Sequence, residues 1–170
     1  NSWCKQTNYD VDIHVPMMIT GPGQLNVGRQ TTGITELIDI FPSLCEMAGI
    51  EAPPYLQGTS FMPLIADPDR EWKKAAFSQF HRRPKISPDG KRYMGYSIRT
   101  KQYHYVEWYQ WDNETKERGA FVTSELYDSL VDPEENTNVA GAEGNEEIVK
   151  LMSKQIADGW RAAIPDGLKK

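Results

Sequence analysis

The side chains able to do chemistry fall into three groups along this chain. Near its start, Lys5 stands between Trp3 and Tyr9 in a loop that leads into the apolar run Val15-Pro16-Met17-Met18-Ile19. A lysine keeps its proton near a reference pKa of about 10.4. Lys5 therefore offers a point charge for an oxyanion rather than a base, and an ordinary surface lysine is the plainer reading of the same residues. The second group runs from His81 to Lys101. His81, Arg82, Arg83, Lys85, Lys91, Arg92, Arg99 and Lys101 stand there against a single acid, Asp89. A local basic patch on an acidic protein suits a small polyanion better than a long one, and a solvated loop face is the other reading. The third group is carboxylates, paired as Asp10/Asp12 and Glu134/Glu135 in turn-like segments, where solvent-facing or capping roles are commonest.

Several chemistries are absent from the sequence. It holds no Gly-x-Ser-x-Gly elbow, no Gly-rich phosphate loop and no His-Glu-x-x-His zinc helix. His14, His81 and His104 are too scattered to form a metal site by themselves. The spacing of Cys4 and Cys45 matches no metal motif, and Cys45, among apolar residues, reads as a core residue.

These groups need elements to hold them. A length of 170 residues suits a domain of ordinary size, with 39% hydrophobic and 25% charged residues. The net charge of −5 argues against a general nucleic-acid binder. No apolar run reaches the roughly 18 residues that a membrane-spanning helix needs. Residues 1–14 read as a loop, and Val15–Ile19 as a short buried strand closed by Gly21-Pro22-Gly23. Thr35 to Ala48 reads as a helix that Gly49 ends, with Leu37, Ile38, Phe41, Leu44, Cys45 and Ala48 on its core face. Pro42 is tolerated in the first turn, which moves the regular helix start toward Asp39.

Phe61 to Ile65 suggests a helical turn, and Ala75 to Phe80 a strand. Tyr93–Thr100 and Tyr103–Trp111 read as a hairpin, because both are rich in aromatic and β-branched residues. Phe121–Val122 and Glu125–Tyr127 continue the sheet. Asn145 to Ala162 reads as a terminal helix with Ile148, Leu151, Met152, Gln155, Ile156 and Trp160 inward. The expectation is an α/β portion over residues 1–66, then a small α+β subdomain over 67–170 with an antiparallel sheet and a terminal helix.

Together these segments resemble the type I sulfatases. Trp3-Cys4-Lys5-Gln6-Thr7-Asn8-Tyr9-Asp10 followed by His14-Val15-Pro16-Met17-Met18-Ile19 is similar to the stretch after their metal-binding Asp-His-Gly motif. Asp39-Ile40-Phe41-Pro42-Ser43-Leu44 with Ala48-Gly49-Ile50 resembles their Asp-x-x-Pro-Thr-Leu…Ala-Gly helix. Leu56-Gln57-Gly58-Thr59-Ser60 resembles their Leu-x-Gly-x-Ser loop. Met94-Gly95-Tyr96-Ser97-Ile98-Arg99-Thr100, with Tyr103, Tyr105 and Trp108, looks like the iduronate-2-sulfatase branch. Glu125-Leu126-Tyr127-Asp128 and Asp132-Pro133-Glu134-Glu135-Asn136-Thr137-Asn138 resemble the C-terminal signature.

The resemblance implies an alkaline-phosphatase-like α/β fold and hydrolysis of sulfate esters of a sulfated, uronate-containing glycan. It implies a formylglycine nucleophile and a Ca2+ ion in the full-length enzyme. Lys5 aligns with a lysine that contacts a sulfate oxygen, and His81, Arg83 and His14 become candidates for substrate binding. The sequence has neither a Cys/Ser-x-Pro/Ala-x-Arg nor an Asp-His-Gly motif. The expectation is therefore a C-terminal portion, inactive alone, with no metal ligands or cofactor of its own and with the upstream portion of the sulfatase as partner. A periplasmic, secreted or lysosomal setting follows from the family. The rival readings are a phosphoester hydrolase of the same superfamily, and a non-enzymatic module that binds sulfated glycans through Trp108, Trp111 and the basic loop.

Overall fold

The computed structural model describes residues 6–21, 23, 26–85 and 87–168. Lys5, Cys4 and Trp3 lie outside the described residues. The chain divides into two compact units, one of residues 1–15 and 77–159, the other of 16–76 and 160–170.

The first unit is built on a four-stranded sheet in the order β1-β2-β3-β4, with β1 Ala76–Arg82, β2 Tyr93–Arg99, β3 Tyr103–Trp111 and β4 Arg118–Asp128. The β2–β3 and β3–β4 pairs are antiparallel. The expected hairpin forms, with Arg99 opposite His104 and a tight turn in which Thr100 N–H donates to Tyr103 O at 2.8 Å. Paired residues share a face. Met94, Tyr96 and Ile98 line up with Tyr109, Glu107 and Tyr105 on one side, and Gly95, Ser97 and Arg99 with Trp108, Val106 and His104 on the other.

Ile98, Tyr105, Val106 and Leu126 are almost wholly buried at the centre. The further strand expected from Phe121–Val122 and Glu125–Tyr127 forms as β4, longer at both ends, and its ladder shifts register near Tyr109. Helix α4, Glu146–Asp158, packs against β2 and β3 and buries Met152. The helix expected over Asn145–Ala162 breaks at Gly159, whose φ of 78° is ready for glycine and costly for other residues. Leu151, expected inward, is exposed. Residues 6–14, expected to be loop throughout, contain a single helical turn, α1 Asp10–Ile13.

In the second unit a 3-10 turn, Leu37–Asp39, leads into α2, Ile40–Met47. Pro42 sits in the first turn, where its missing N–H leaves no intrahelical bond unmade. Ala48 caps the helix and Gly49 follows at φ 68°. Gly49 N–H reaches Glu46 O at 3.1 Å and Ile50 N–H reaches Cys45 O at 2.9 Å, the two bonds of a Schellman end.

The expected orientation of this helix is reversed. Leu37, Ile38, Phe41 and Leu44 face solvent, and Asp39, Pro42 and Ser43 face inward. The cause is a buried polar network. Lys73 Nζ lies 2.8 Å from both Asp39 carboxylate oxygens and from Glu36 Oε2. Glu36 and Thr59 N–H groups also donate to Asp39, and Ser43 Oγ bridges Asp39 O and Phe61 N. A buried charge must keep its partners, so this network sets the rotation of α2.

A small core of Phe61, Leu64 and Trp72 lies in the same unit, with α3 Met62–Ala66 and α5 Trp160–Ala163. Val15–Ile19 forms no strand, and Met17 and Met18 are exposed. Ile19, at the end of the run, packs instead against the core of Phe61, Leu64 and Trp72.

Candidate functional site

The segment that follows Lys5 is fastened to the sheet by a chain of polar contacts. Asn8, 3% exposed, donates through Nδ2 to Gly95 O at 3.2 Å. Gly95 is required there, because a Cβ would stand 2.4 Å from Asn8 Nδ2 and 2.8 Å from the Trp108 ring. Arg99 Nε donates to both carboxylate oxygens of Asp10, at 3.1 and 3.0 Å. Asp10 N–H donates to Glu135 Oε2 at 2.8 Å, and His104 Nδ1 meets Glu135 Oε1 at 2.5 Å. Tyr9 packs edge-on against Tyr127 at 5.9 Å between ring centroids.

Glu135 holds its place at φ 55°, a left-handed backbone that residues with a Cβ rarely adopt. Its carboxylate joins the hairpin, through His104, to the segment carrying Asp10. His104 Nε2 has no partner among the described residues. Burial pushes the Tyr127 phenol upward, with Glu125 adding to the effect, so it stays neutral beside these acids.

A cavity of about 570 Å³ opens beside this clasp, lined by Asp10, Val11, His14, Pro133, Glu134, Glu135 and Asn136. His14 stands at its rim, 77% exposed, with Nδ1 3.9 Å from Asp10 Oδ2.

One ligand atom each of Asp10, His104 and Glu135 lies within 4.8 Å of the others. These three do not make a calcium site. Calcium takes six to eight oxygens. Here both Asp10 oxygens accept from Arg99, and the Glu135 oxygens are held by His104 and the Asp10 N–H. The contacts form an arrangement in which the acids already have cationic or N–H partners.

His81 and Arg83 come together at the end of β1. His81 is the sixth residue of the strand rather than part of the loop. Arg83 Nε donates to His81 Nε2 at 3.1 Å, and Phe80 stacks on the imidazole at 5.3 Å. Desolvation, with the nearby Arg83 and Arg92 charges, holds the His81 pKa below its ordinary 6.5. At neutral pH, His81 is therefore an acceptor that orients a guanidinium. Arg82 lies over the Trp108 ring at 4.9 Å. Trp108 itself is 7% exposed, which removes it as a stacking platform for a sugar.

Asp10, Arg99, Glu135 and His104 are the residues that sequence reasoning does not assemble. The Asp10/Asp12 and Glu134/Glu135 pairs look like turn acids, and His104 looks isolated. The available signal is the hairpin register, which sets Arg99 opposite His104 once the turn is placed.

The description N-sulphoglucosamine sulphohydrolase, C-terminal, is that of the family matching residues 2–161. Mouse arylsulfatase K is 32% identical over 140 residues, covering 80% of this chain and 23% of that protein. A protein solved in complex with its substrate D-glucosamine-2-N,6-O-disulfate superposes with a TM-score of 0.63 at 26% identity, over 81% of this chain and 26% of that one. The phosphonate monoester hydrolase of Agrobacterium radiobacter superposes with a TM-score of 0.57 at 25% identity, over 79% and 26%. The chain thus spans about a quarter of the length of the relatives it matches.

Proposed function

Because this chain belongs to the family of sulfatase C-terminal domains, we propose that it forms part of a sulfuric ester hydrolase acting on a sulfated, uronate-containing glycan. The observation that carries this reading is the clasp of Asn8, Asp10, Arg99, Glu135 and His104. It secures to a rigid sheet the segment that follows Lys5. Lys5, outside the described residues, supplies a positive charge for a sulfate oxygen. A positive charge at that oxygen stabilises the charge that develops in the transition state and commonly contributes about 3 kcal/mol.

The calcium ion and the formylglycine belong to the remaining portion of such an enzyme, which is the proposed partner. The Asp10 and Glu135 carboxylates are already engaged, and no formylglycine motif occurs in the sequence. Arg83, oriented by His81, meets an anionic group of the sugar, and His14 faces a second polar part of the substrate from the cavity rim. The iduronate-2-sulfatase branch is the proposed affinity within the family, on the strength of the Met94–Thr100 run. A periplasmic, secreted or lysosomal setting goes with it.

A second reading, a phosphoester-type hydrolase, is favoured by the superposition on the phosphonate monoester hydrolase. The test is a chimera in which this chain replaces the matched quarter of the relative solved with glucosamine disulfate. Sulfate release from 2-O-sulfated uronate disaccharides, exceeding turnover of an aryl phosphonate monoester, supports the sulfatase reading. The opposite preference selects the second.

A further inference from the structure

One end of the sheet carries an aromatic cluster with an arginine laid on it. Tyr109 meets Tyr96 edge-on at 6.0 Å, and meets Phe121, its partner in the β3–β4 ladder, edge-on at 5.6 Å between ring centroids. The Tyr109 ring is fixed at its hydroxyl, which donates to Oε2 of the buried Glu107 at 2.7 Å. The Arg118 guanidinium lies over the Tyr109 ring at 4.4 Å and over Tyr96 at 5.9 Å. Tyr96 and Tyr109 stand on the opposite face of the sheet from Arg99 and His104 of the clasp.

Stacking on rings occupies the faces of a guanidinium and leaves its N–H edge free. Among the described residues no carboxylate pairs with Arg118. Phe121 beside it is 55% exposed and turns apolar ring area to water. The neighbouring turn, residues 112–117, holds Asp112, Glu114 and Glu117 against Lys116 alone. That negative balance repels a densely charged polyanion or an acidic peptide, and favours a ligand with one isolated negative charge on an apolar ring.

We propose that Arg118 and Phe121 form a binding site for an anionic sugar of a glycan, with one carboxylate or sulfate on the guanidinium edge and the C–H face of the pyranose on the Phe121 ring. The planar fork of an arginine takes either oxyanion through two N–H groups. The negative face of an aromatic ring attracts the C–H hydrogens. A sugar, rather than another monoanion with an apolar part, follows from the sulfatase reading above.

The test titrates the 170-residue chain by NMR and follows the Tyr96, Tyr109 and Phe121 rings. The probes are tetrasaccharides of alternating glucuronate and N-acetylglucosamine, of alternating galactose and sulfated N-acetylglucosamine, and of N-acetylglucosamine alone, with tetraglutamate as the peptide. Saturable ring shifts with either anionic sugar, about tenfold tighter than with the neutral sugar or the peptide, are expected, and the sugar that binds identifies the anionic group. Arg118→Ala should weaken this binding about tenfold, and Phe121→Ala about threefold. Arg118→Lys, which keeps the charge and loses the fork, should weaken it about threefold. Arg29→Ala, at an exposed arginine of the other unit, should leave it unchanged. Circular dichroism checks that each variant folds. The absence of saturable shifts with both anionic sugars, equal binding of tetraglutamate, or binding that Arg118→Ala and Arg118→Lys leave intact overturns the proposal. Binding by a chain whose chimera releases no sulfate upholds this site and removes the proposed activity. Sulfate release by the chimera without binding here does the reverse.

Discussion

Single residues decide two features of this chain. Lys73 is 5% exposed and Asp39 is wholly buried, and each depends on the other. Removing the ammonium leaves a buried carboxylate with only N–H donors, so Lys73→Ala should lower stability by about 3–5 kcal/mol. Urea denaturation of the chain measures this, and a loss under 1 kcal/mol would show that the pair does not anchor α2. His81 offers a gentler test. Burial, with the Arg83 and Arg92 charges, keeps its pKa below 6.5, and Arg83 donates to its Nε2. The protonated form is thus disfavoured on folding. The unfolded chain binds more protons, and this site's share of stability falls as pH drops below about 6.5. NMR titration should find the His81 pKa under 6.5 and moving upward in Arg83→Ala. No movement would break the link between the two side chains.

At the scale of elements, the contrast between hairpin and helix shows what a sequence discloses. Two aromatic, β-branched runs with a short gap are a local signal, and β2 and β3 form where it places them. The limits of α2 were also legible, because Pro42 and Gly49 act within one or two turns. Its orientation was not. Periodicity finds an apolar stripe but does not say what covers it, and here Lys73, more than thirty residues away, holds the polar side inward. The clasp was hidden for the same reason, since Asp10, Arg99 and Glu135 are distant in sequence. Gly95 leaves no room for a Cβ beside Asn8 and Trp108. Gly95→Ala should cost about 1–3 kcal/mol and speed amide exchange over Asp10–Ile13. Unchanged exchange there would mean that the segment is held by something other than this contact.

Across the whole molecule, the family was legible because its motifs are ordered along the chain, and the match over residues 2–161 has the same extent. The matched relatives are about four times as long. The chemistry proposed for this chain is correspondingly partial: a positive charge from Lys5, a guanidinium held by His81, and a sheet that fixes the segment following Lys5. The most direct measurement is the rate of sulfate release by the chimera with and without Lys5→Ala. The account predicts sulfate release that falls by about a hundredfold or more in the variant, with no release by the 170-residue chain alone. Equal turnover in the chimera and its Lys5→Ala variant would contradict it.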